Sequence, residues 1–372
     1  MLFIHNDVVQ QVLTIEDAIQ SQEEAFLGLI TRDSVHRTRI DIYVPAERED
    51  GYFRWGTMEG ASKTLGVHAI RMKSDIVYWP EDEQGNWTEE KYCVEPGTYC
   101  GLIFLVSTRN GEPLAIINDG YLQHMRVGAG AGIGVKYLAR ENARVVGMLG
   151  SGGMARTYLK AFCAVRPVER VRVFSPTKAN REAYATEMSE ELGVQIEPVA
   201  SAEEAVRGSD IVSCCTDAMQ HVIDGSWLEP GMHVTNLGNF ELDPNTFERA
   251  NVIIKQGLPG VILNDPNQRI EIGRGHSPVA YIAGTEEEVE RLPKPTGTDS
   301  KIFGQERYPY FVDLASGAVP GRTSDDDITI YLNVGYQGLQ FAAVGAAVYN
   351  AAKARGLGRD LPTEWFLQDV RD

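Results

Sequence analysis

The fold is decided by residues 143–155, which read Ala143-Arg144-Val145-Val146-Gly147-Met148-Leu149-Gly150-Ser151-Gly152-Gly153-Met154-Ala155. An apolar strand leads directly into a glycine turn, and the residues after the turn predict a helix over 154–165. The first glycine permits the tight turn, the second lets a ligand approach the backbone, and the small third residue lets helix and strand pack closely. Because a helix N-terminus also offers N–H donors and a positive dipole end, this pattern predicts a Rossmann site for a nicotinamide dinucleotide.

The residues after the second strand, 171–174, bear on the choice of cofactor. NAD sites usually carry an acid there, about 20 residues beyond the turn, which binds the ribose hydroxyls. This chain has Ser175-Pro176-Thr177-Lys178-Ala179-Asn180-Arg181, with no acid before Glu182. Hydroxyl and basic groups suit a 2′-phosphate, so the sequence favours NADP(H), with NAD(H) possible; alternatively, the basic residues are a solvated helix start. We expect the cofactor to contact Gly150, Ser151, Gly152, Gly153, Met154, Ser175, Thr177, Lys178, Thr216 and Gly238.

The rest of the chain predicts a second unit. Residues 143–260 alternate strand and helix, which is typical of a parallel sheet. Before them, Thr14 caps a predicted helix, strands are predicted at 40–44, 67–73 and 101–106, and a glycine-rich helix is predicted from Asp119 to about Arg140. After them, residues 285–310 are expected to form a loop, and 323–327 to cap a helix that continues to about residue 355.

Composition restricts the partners and the compartment. The 372 residues are 43% hydrophobic and carry a formal net charge of −17, which disfavours nucleic acid and anionic membrane surfaces as partners. We find no apolar run near the roughly 20 residues that cross a bilayer, no signal-like N-terminal segment, and no metal-ligand motif. The five cysteines include no C-x-x-C pair, so we expect a cytoplasmic protein without a disulfide framework.

Four basic residues interrupt apolar segments: Arg39, Arg71, Lys73 and Arg126. Arg71 and Lys73 are two positions apart, so on a strand they share a face. A buried cation is costly without a counter-ion, and an arginine fork matches a carboxylate bidentately. These residues therefore indicate a site for a substrate carboxylate, unless internal Asp or Glu residues neutralise them.

Longer motifs extend the pattern beyond the glycine turn. They are Ile117-Asn118-Asp119-Gly120-Tyr121-Leu122-x-x-Met125-Arg126-Val127-Gly128-Ala129, Leu228-x-Pro230-Gly231-x-His233-Val234-x-x-Leu237-Gly238 and Gly321-Arg322-Thr323-Ser324-Asp325-Asp326. With these motifs the chain resembles the ornithine cyclodeaminase/μ-crystallin family over nearly its whole length. The resemblance implies an α/β homodimer in which a Rossmann NAD(P)-binding domain, residues 126–317, is inserted in an α+β substrate-binding and dimerisation domain, residues 1–125 and 318–372.

The resemblance also implies an oxidoreductase acting on the Cα–N bond of a small amino or imino acid. Arg126 matches the family arginine that binds the substrate carboxylate, and Arg39 matches a second one, although Arg37 is close enough to blur the match. The family lysine falls at Arg71 by strict spacing. We expect Lys73 to handle the proton, because arginine does not deprotonate at working pH, and Arg71 to help hold the carboxylate.

The chain departs from the family pattern after its predicted strand at 233–237. Cyclodeaminases carry an aspartate there that assists ring closure, whereas this chain has Asn239 and Phe240 in a shortened loop. Glu241 or Asp243 could substitute only if the loop moves, and Asp243 before Pro244 is typical of a helix cap. The leading hypothesis is therefore an imine reductase or amino-acid dehydrogenase. The alternatives are a cyclodeaminase that uses NAD⁺ catalytically and a non-catalytic NADP(H)-dependent binding protein. The loops at 78–97 and 285–310 are candidate lids over the substrate pocket.

Overall fold

A computed structural model describes residues 1–81, 88–257, 279–282 (backbone only), 285–291 and 308–369. Its strands are β1 Leu2–Ile4, β2 Ser34–Pro45, β3 Gly51–Ser62, β4 Val67–Tyr78, β5 Glu90–Tyr92, β6 Cys100–Ser107, β7 Pro113–Asn118, β8 Val145–Leu149, β9 Arg170–Phe174, β10 Gln195–Pro198, β11 Ile211–Cys214, β12 His233–Asn236, β13 Val252–Lys255, β14 Val279–Ile282, β15 Thr329–Leu332 and β16 Arg359–Asp360. Its helices are α1 Asn6–Val12, α2 Ile15–Thr31, α3 Gly120–Leu138, α4 Gly153–Val165, α5 Lys178–Leu192, α6 Ala202–Val206, α7 Pro244–Arg249, α8 Glu286–Glu290, α9 Phe311–Ala315 and α10 Gln337–Ala354.

The first sheet is mixed and has the strand order β14-β2-β3-β4-β6-β7-β1-β16, with β5 paired to β4. Burial alternates along most of β3, β4, β6 and β7, which separates a buried face from a partly exposed one. The buried face packs mainly against α10, with α2 against β2 and α1 against β7, and its core includes Phe26, Ile103, Leu105 and Phe341. Arg39 of β2 and Arg71 and Lys73 of β4 lie on this same face of the sheet.

The second sheet is parallel, with the strand order β10-β9-β8-β11-β12-β15-β13. Its first five strands follow the Rossmann order, and the glycine turn lies at the carboxyl end of the central strand β8. Buried residues on both faces, such as Val146, Val171 and Ile330, explain the near-continuous apolar strands in the sequence. The α/β fold class with a Rossmann unit is confirmed.

Helix α3 leads from the first sheet to the second, and its glycines allow close packing. A Cβ on Gly128 would come within 2.5 Å of the Thr157 carbonyl oxygen of α4, and a Cβ on Gly134 would clash with the Tyr331 ring of β15. The helix loses about 1 kcal/mol per glycine relative to alanine, and the close helix–helix contact offsets this loss. At Gly128 the group that packs closely is therefore the backbone of α4.

The structure corrects two elements expected from the sequence. Residues 323–327 do not begin a helix: the Asp327 carboxylate accepts the backbone N–H groups of Thr323 and Ser324 in a turn, and the fully buried strand β15 follows. The β-branched run Ile328-Thr329-Ile330 fits a central parallel strand, and the helix begins only at Gln337. The 285–310 stretch is not all loop either, because a capping box at Thr285 starts α8; residues 292–307 lie outside the described residues.

Two strands pair across the predicted domain boundaries. Strand β15 belongs to the parallel sheet although the boundary at 317/318 assigned it to the other domain. Strand β14, from the predicted Rossmann segment, pairs with the edge strand β2 of the first sheet. Within the 78–97 stretch, β5 pairs with β4, and residues 82–87 lie outside the described residues.

Candidate active site

The glycine turn has the geometry that a pyrophosphate site needs. Gly150 has φ +109°, a conformation that favours glycine, and a Cβ there would also clash with the Cys215 carbonyl oxygen. A Cβ on Gly152 would meet no atom within 4 Å, so the outside of the turn is open. Gly152 is the N-cap of α4 without a side-chain cap, which leaves the first-turn N–H groups directed at this space. The residues present therefore fit a dinucleotide.

The end of β9 lies beside the turn, as the motif requires. Ser151 Oγ donates to Ser175 Oγ at 3.0 Å, which ties the two loops together. Thr177 is the N-cap of α5, and Arg181 donates to the Ser175 carbonyl oxygen at 2.8 Å. The Lys178 side chain is 75% exposed, 3.6 Å from Glu182, so its ammonium group is accessible from solvent.

A buried glutamate joins the loops after β11 and β12. Glu241 Oε1 accepts the backbone N–H and hydroxyl of Thr216, at 2.6 and 2.8 Å, and Oε2 accepts the N–H groups of Leu237 and Gly238, at 2.7 and 2.6 Å. Burial raises the pKa of Glu241 to about 7 in spite of these four donors. The sequence considered Glu241 only as a replacement for the family aspartate, whereas its carboxylate is already committed to Thr216 and Gly238.

Asp243 is engaged as well. Its carboxylate accepts the backbone N–H of Thr246 at 2.9 Å and caps α7, which confirms the cap expected from Pro244. Asn239 and Phe240 are buried at 8% and 3% exposure. In the described structure this loop therefore offers no uncommitted carboxylate to a substrate amine.

Arg126 is a buried cation held by neutral groups. Its Nη1 donates to Gln340 at 2.8 Å, and its Nε and Nη2 donate to Gln123 Oε1 at 3.2 and 3.0 Å. Burial and the neighbouring Arg71 lower its pKa to about 9. Arg126 is buried, with 9% of the residue exposed. No carboxylate of the described residues lies within ion-pair distance of its guanidinium.

Arg71 and Arg39 differ from Arg126 because each has an internal counter-ion. Arg71 Nε donates to Asp119 at 2.6 Å, and Arg39 donates to both oxygens of Asp41 at 2.8 and 2.7 Å. For these two residues the internal-pairing alternative is the one observed. Their positive charge still acts on Arg126 and helps lower its pKa.

Lys73 lies on the same face of β4 as Arg71, as the two-residue spacing predicts. Its Nζ is 2.9 Å from Asp75 Oδ2, which also accepts from Arg54 Nη2 at 2.8 Å. Burial, followed by the positive charge of Arg54, lowers the pKa of Lys73 well below its usual value. Lys73 pairs with Gly101 across the strands, and a Cβ on Gly101 would clash with the Asp119 carboxylate. The lysine therefore lies close to the Arg71–Asp119 pair.

Several contributors were not recognised from the sequence. Phe341 packs its ring against both Arg71 and Arg126, with centroid distances of 5.3 and 4.9 Å. Gln340 links Arg126 to Gln22 of α2, where its Nε2 donates to Gln22 Oε1 at 2.8 Å. A glutamine within the apolar stretch of α10 was the available signal, but no spacing rule connects residues 126 and 340.

The parallel sheet with its glycine turn, together with a mixed sheet that gathers buried arginines and a lysine, defines a two-domain dinucleotide-binding protein. The model of the ornithine cyclodeaminase/mu-crystallin family matches residues 88–356. The chain belongs to this family, as its motifs indicated. No helix of the described residues is both long and apolar enough to cross a membrane.

Individual relatives match over most of the chain. An alanine dehydrogenase of Archaeoglobus fulgidus is 27% identical over 364 residues, 96% of this chain and 97% of the relative. A Delta(1)-pyrroline-2-carboxylate reductase of Bacillus cereus is 27% identical over 266 residues, 70% of this chain and 74% of the relative. The solved structure of the Thermococcus litoralis Delta(1)-pyrroline-2-carboxylate reductase with NADH and L-proline superposes with a TM-score of 0.74 at 25% identity, covering 97% of this chain and 100% of that chain.

Proposed function

We propose that this protein is an NAD(P)-dependent oxidoreductase that acts on the Cα–N bond of a small α-amino or α-imino acid. The observation that carries the proposal is Arg126, a buried guanidinium whose described hydrogen-bond partners are the neutral side chains of Gln123 and Gln340. A substrate carboxylate is the counter-ion that this arrangement lacks. The relatives that reduce pyrroline-2-carboxylate or oxidise alanine, according to their names, handle substrates of this class.

The carboxylate would bind Arg126 directly. Arg71 and Arg39 add positive potential while remaining paired with Asp119 and Asp41. Phe341 keeps the Arg71 and Arg126 guanidinium groups in place, because both pack against its ring. Binding energy at the carboxylate would thus fix the α-carbon relative to the rest of the site.

Lys73 would hold or move the proton at the substrate nitrogen. Because its pKa is lowered well below the usual value, the amine gives up its proton more readily than an exposed lysine would, and Asp75 fixes its position. A bound nicotinamide supplies or accepts the hydride. We place NADP(H) ahead of NAD(H), because Ser175, Thr177 and the accessible Lys178 follow β9 where NAD sites usually carry an acid.

A cyclodeaminase reaction is the alternative that the family name keeps open. The commitment of Glu241 to Thr216, Leu237 and Gly238 favours simple hydride transfer, since a side-chain amine would need a free carboxylate there. A non-catalytic NADP(H)-dependent binding protein would use the same Arg126 contact without turnover.

The three functions give different assays. Purified protein is supplied with NADPH or NADH and either cyclic imino acids or α-keto acids with ammonia, and the loss of reduced nicotinamide absorbance is followed. Net, substrate-dependent turnover supports the proposal, ammonia release from a diamino acid without net turnover supports the cyclodeaminase, and saturable binding without either supports the binding protein. R126A should lose affinity for the carboxylate by about 2–5 kcal/mol, whereas R37A, which removes an exposed arginine paired with Glu59, should change little.

We further propose that the protein forms a homodimer through the outer face of its first sheet. That face carries many half-buried or exposed apolar side chains, interrupted by Thr57, Glu59 and Ser74. The apolar residues are Ile42, Val44, Phe53, Trp55, Ile70, Met72, Ile76, Leu102, Phe104, Leu114 and Ile116. Monomers rarely expose apolar patches beyond a few hundred Å². A second copy of the same sheet would cover the face by two-fold symmetry.

A further inference from the structure

His124 of α3 lies directly against the glycine turn. A Cβ placed on Gly153 would lie 2.9 Å from Cε1 and 3.3 Å from Nδ1 of this imidazole. Gly153 is the first residue of α4, so the ring stands beside the N-terminus to which a pyrophosphate would bind. Any larger residue at 153 would displace the ring, which explains a glycine at a position where the motif itself does not require one.

The ring is partly buried, and no hydrogen bond among the described residues uses either of its nitrogens. The charged groups that act on it are Asp119, the N-cap of α3, and Arg126, within α3. Burial lowers the pKa of His124 below its ordinary value; Arg126 lowers it further, and Asp119 opposes them. Without a cofactor the neutral form of the imidazole is therefore favoured.

We propose that His124 binds the cofactor pyrophosphate as an imidazolium and takes up a proton when the dinucleotide binds. The inference rests on the proposed cofactor function and adds a ligand that the glycine motif does not contain. Two phosphate charges close to the ring would favour its charged form, as an opposite charge within about 4–6 Å does. The substrate arginine and the phosphate site would then be coupled, since Arg126 acts on the same imidazole.

The direction of the pH dependence follows from linkage. His124 has a lowered pKa in the free protein and a raised pKa in the complex, so binding strengthens as the pH falls between the two values. The dissociation constant for the cofactor should decrease by up to about tenfold per pH unit in that window and level off below the pKa of the free protein.

The test compares the wild-type protein with H124Q and H124N. Dissociation constants for NADH and NADPH are measured by fluorescence from about pH 5.5 to 8.5. Proton uptake on binding is measured by calorimetry in two buffers of different ionisation enthalpy. The 2′-phosphate of NADPH titrates near pH 6, and Glu241 also titrates in this range. The contribution of His124 is therefore the difference in proton uptake and in dissociation constant between wild type and variant. H5Q, which alters a histidine that is 45% exposed, is the matched control.

We expect wild type and H5Q to take up more protons on binding than H124Q and H124N. As the pH falls, the affinity of wild type and H5Q for the cofactor should rise relative to that of H124Q and H124N. Equal proton uptake in all four proteins would overturn the inference, as would a loss of affinity in H124Q that is the same at every pH. Failure of the wild-type protein to bind either dinucleotide would instead overturn the proposed cofactor function, and with it the role of His124.

Discussion

The guanidinium of Arg126, on α3, donates a hydrogen bond to the side-chain oxygen of Gln340, on α10, at 2.8 Å. The cation is thus held between two helices by an amide that cannot neutralise it. Burying a charge in this way costs free energy of folding, and that cost is repaid only when an anion binds.

Arg126→Met should therefore stabilise the free protein while abolishing turnover. Replacing a buried ionic group by an apolar one of similar volume is often stabilising by about 1–4 kcal/mol. Thermal unfolding monitored by circular dichroism measures the change, with R37M as an exposed control. A lower melting temperature for R126M would show that the Gln123 and Gln340 contacts outweigh the burial of the charge.

Lys73→Arg should keep the positive charge but remove the exchangeable proton. We expect a large loss in kcat with a small change in KM, because arginine does not deprotonate at working pH.

Asp75→Asn should move the pH profile instead. Asp75 raises the pKa of Lys73 and Arg54 lowers it, so the pKa should fall further without the carboxylate, and the limb assigned to Lys73 should shift to lower pH. A profile that does not shift in D75N would assign the proton step to another group.

Glu241 should make stability depend on pH in the opposite sense to a salt-bridged acid. Its folded pKa, about 7, lies above the ordinary 4.5, so its stabilising contribution is complete below about pH 4.5 and is lost as the pH rises through 7. The melting temperature of the wild type minus that of E241Q should fall between about pH 5 and 7.5. E248Q, at an exposed position of α7, should show no such trend. A difference that grows with pH would mean that the four donors keep Glu241 ionised.

Lys178→Glu should weaken NADPH binding more than NADH binding. Lys178 is 75% exposed, so the expected effect is modest, about fivefold, in line with exposed charge pairs. Competition binding with both dinucleotides measures the ratio, and K63E, at an 85% exposed lysine between β3 and β4 of the first sheet, is the control. An unchanged ratio would leave Lys178 as part of a solvated helix start.

Ile42→Glu should produce a monomer. Ile42 is 41% exposed on the outer face of the first sheet and neighbours Trp55 across the strands, so a carboxylate there would be buried in the proposed interface. Light scattering coupled to size exclusion gives the mass. Val35→Glu, at a 64% exposed position nearer the end of β2, is the comparison. A wild-type protein that is already monomeric would refute this interface.

The sequence predicted the parts of the site that depend on local rules. The turn from Gly150 to Met154 follows from backbone geometry, and Arg71 and Lys73 share a face because side chains alternate along a strand. The helix caps at Thr14 and Asp243 were predicted correctly for the same reason, since each involves a few consecutive residues.

What the sequence did not predict depends on contacts between distant segments. The pairing of Arg39 with Asp41 could be weighed but not decided, whereas the link from Arg126 to Gln340 spans 214 positions. The predicted start of the helix expected over 323–355 was wrong, because residues 329–332 form β15 between β12 and β13. The burial of β15 in the sheet outweighs the helical signal of the capping residues before it.

The strand β14 has a consequence for how the chain is organised. After β13 the chain leaves the parallel sheet and forms β14, which pairs with β2 of the mixed sheet. The chain then returns to the parallel sheet as β15. Together with the passage through α3 and the final return through α10, this means that neither sheet is encoded by one continuous stretch of sequence. Neither half could therefore be cut out as a single segment without removing strands from both sheets, and the many pairings between distant residues are of the kind that slow folding.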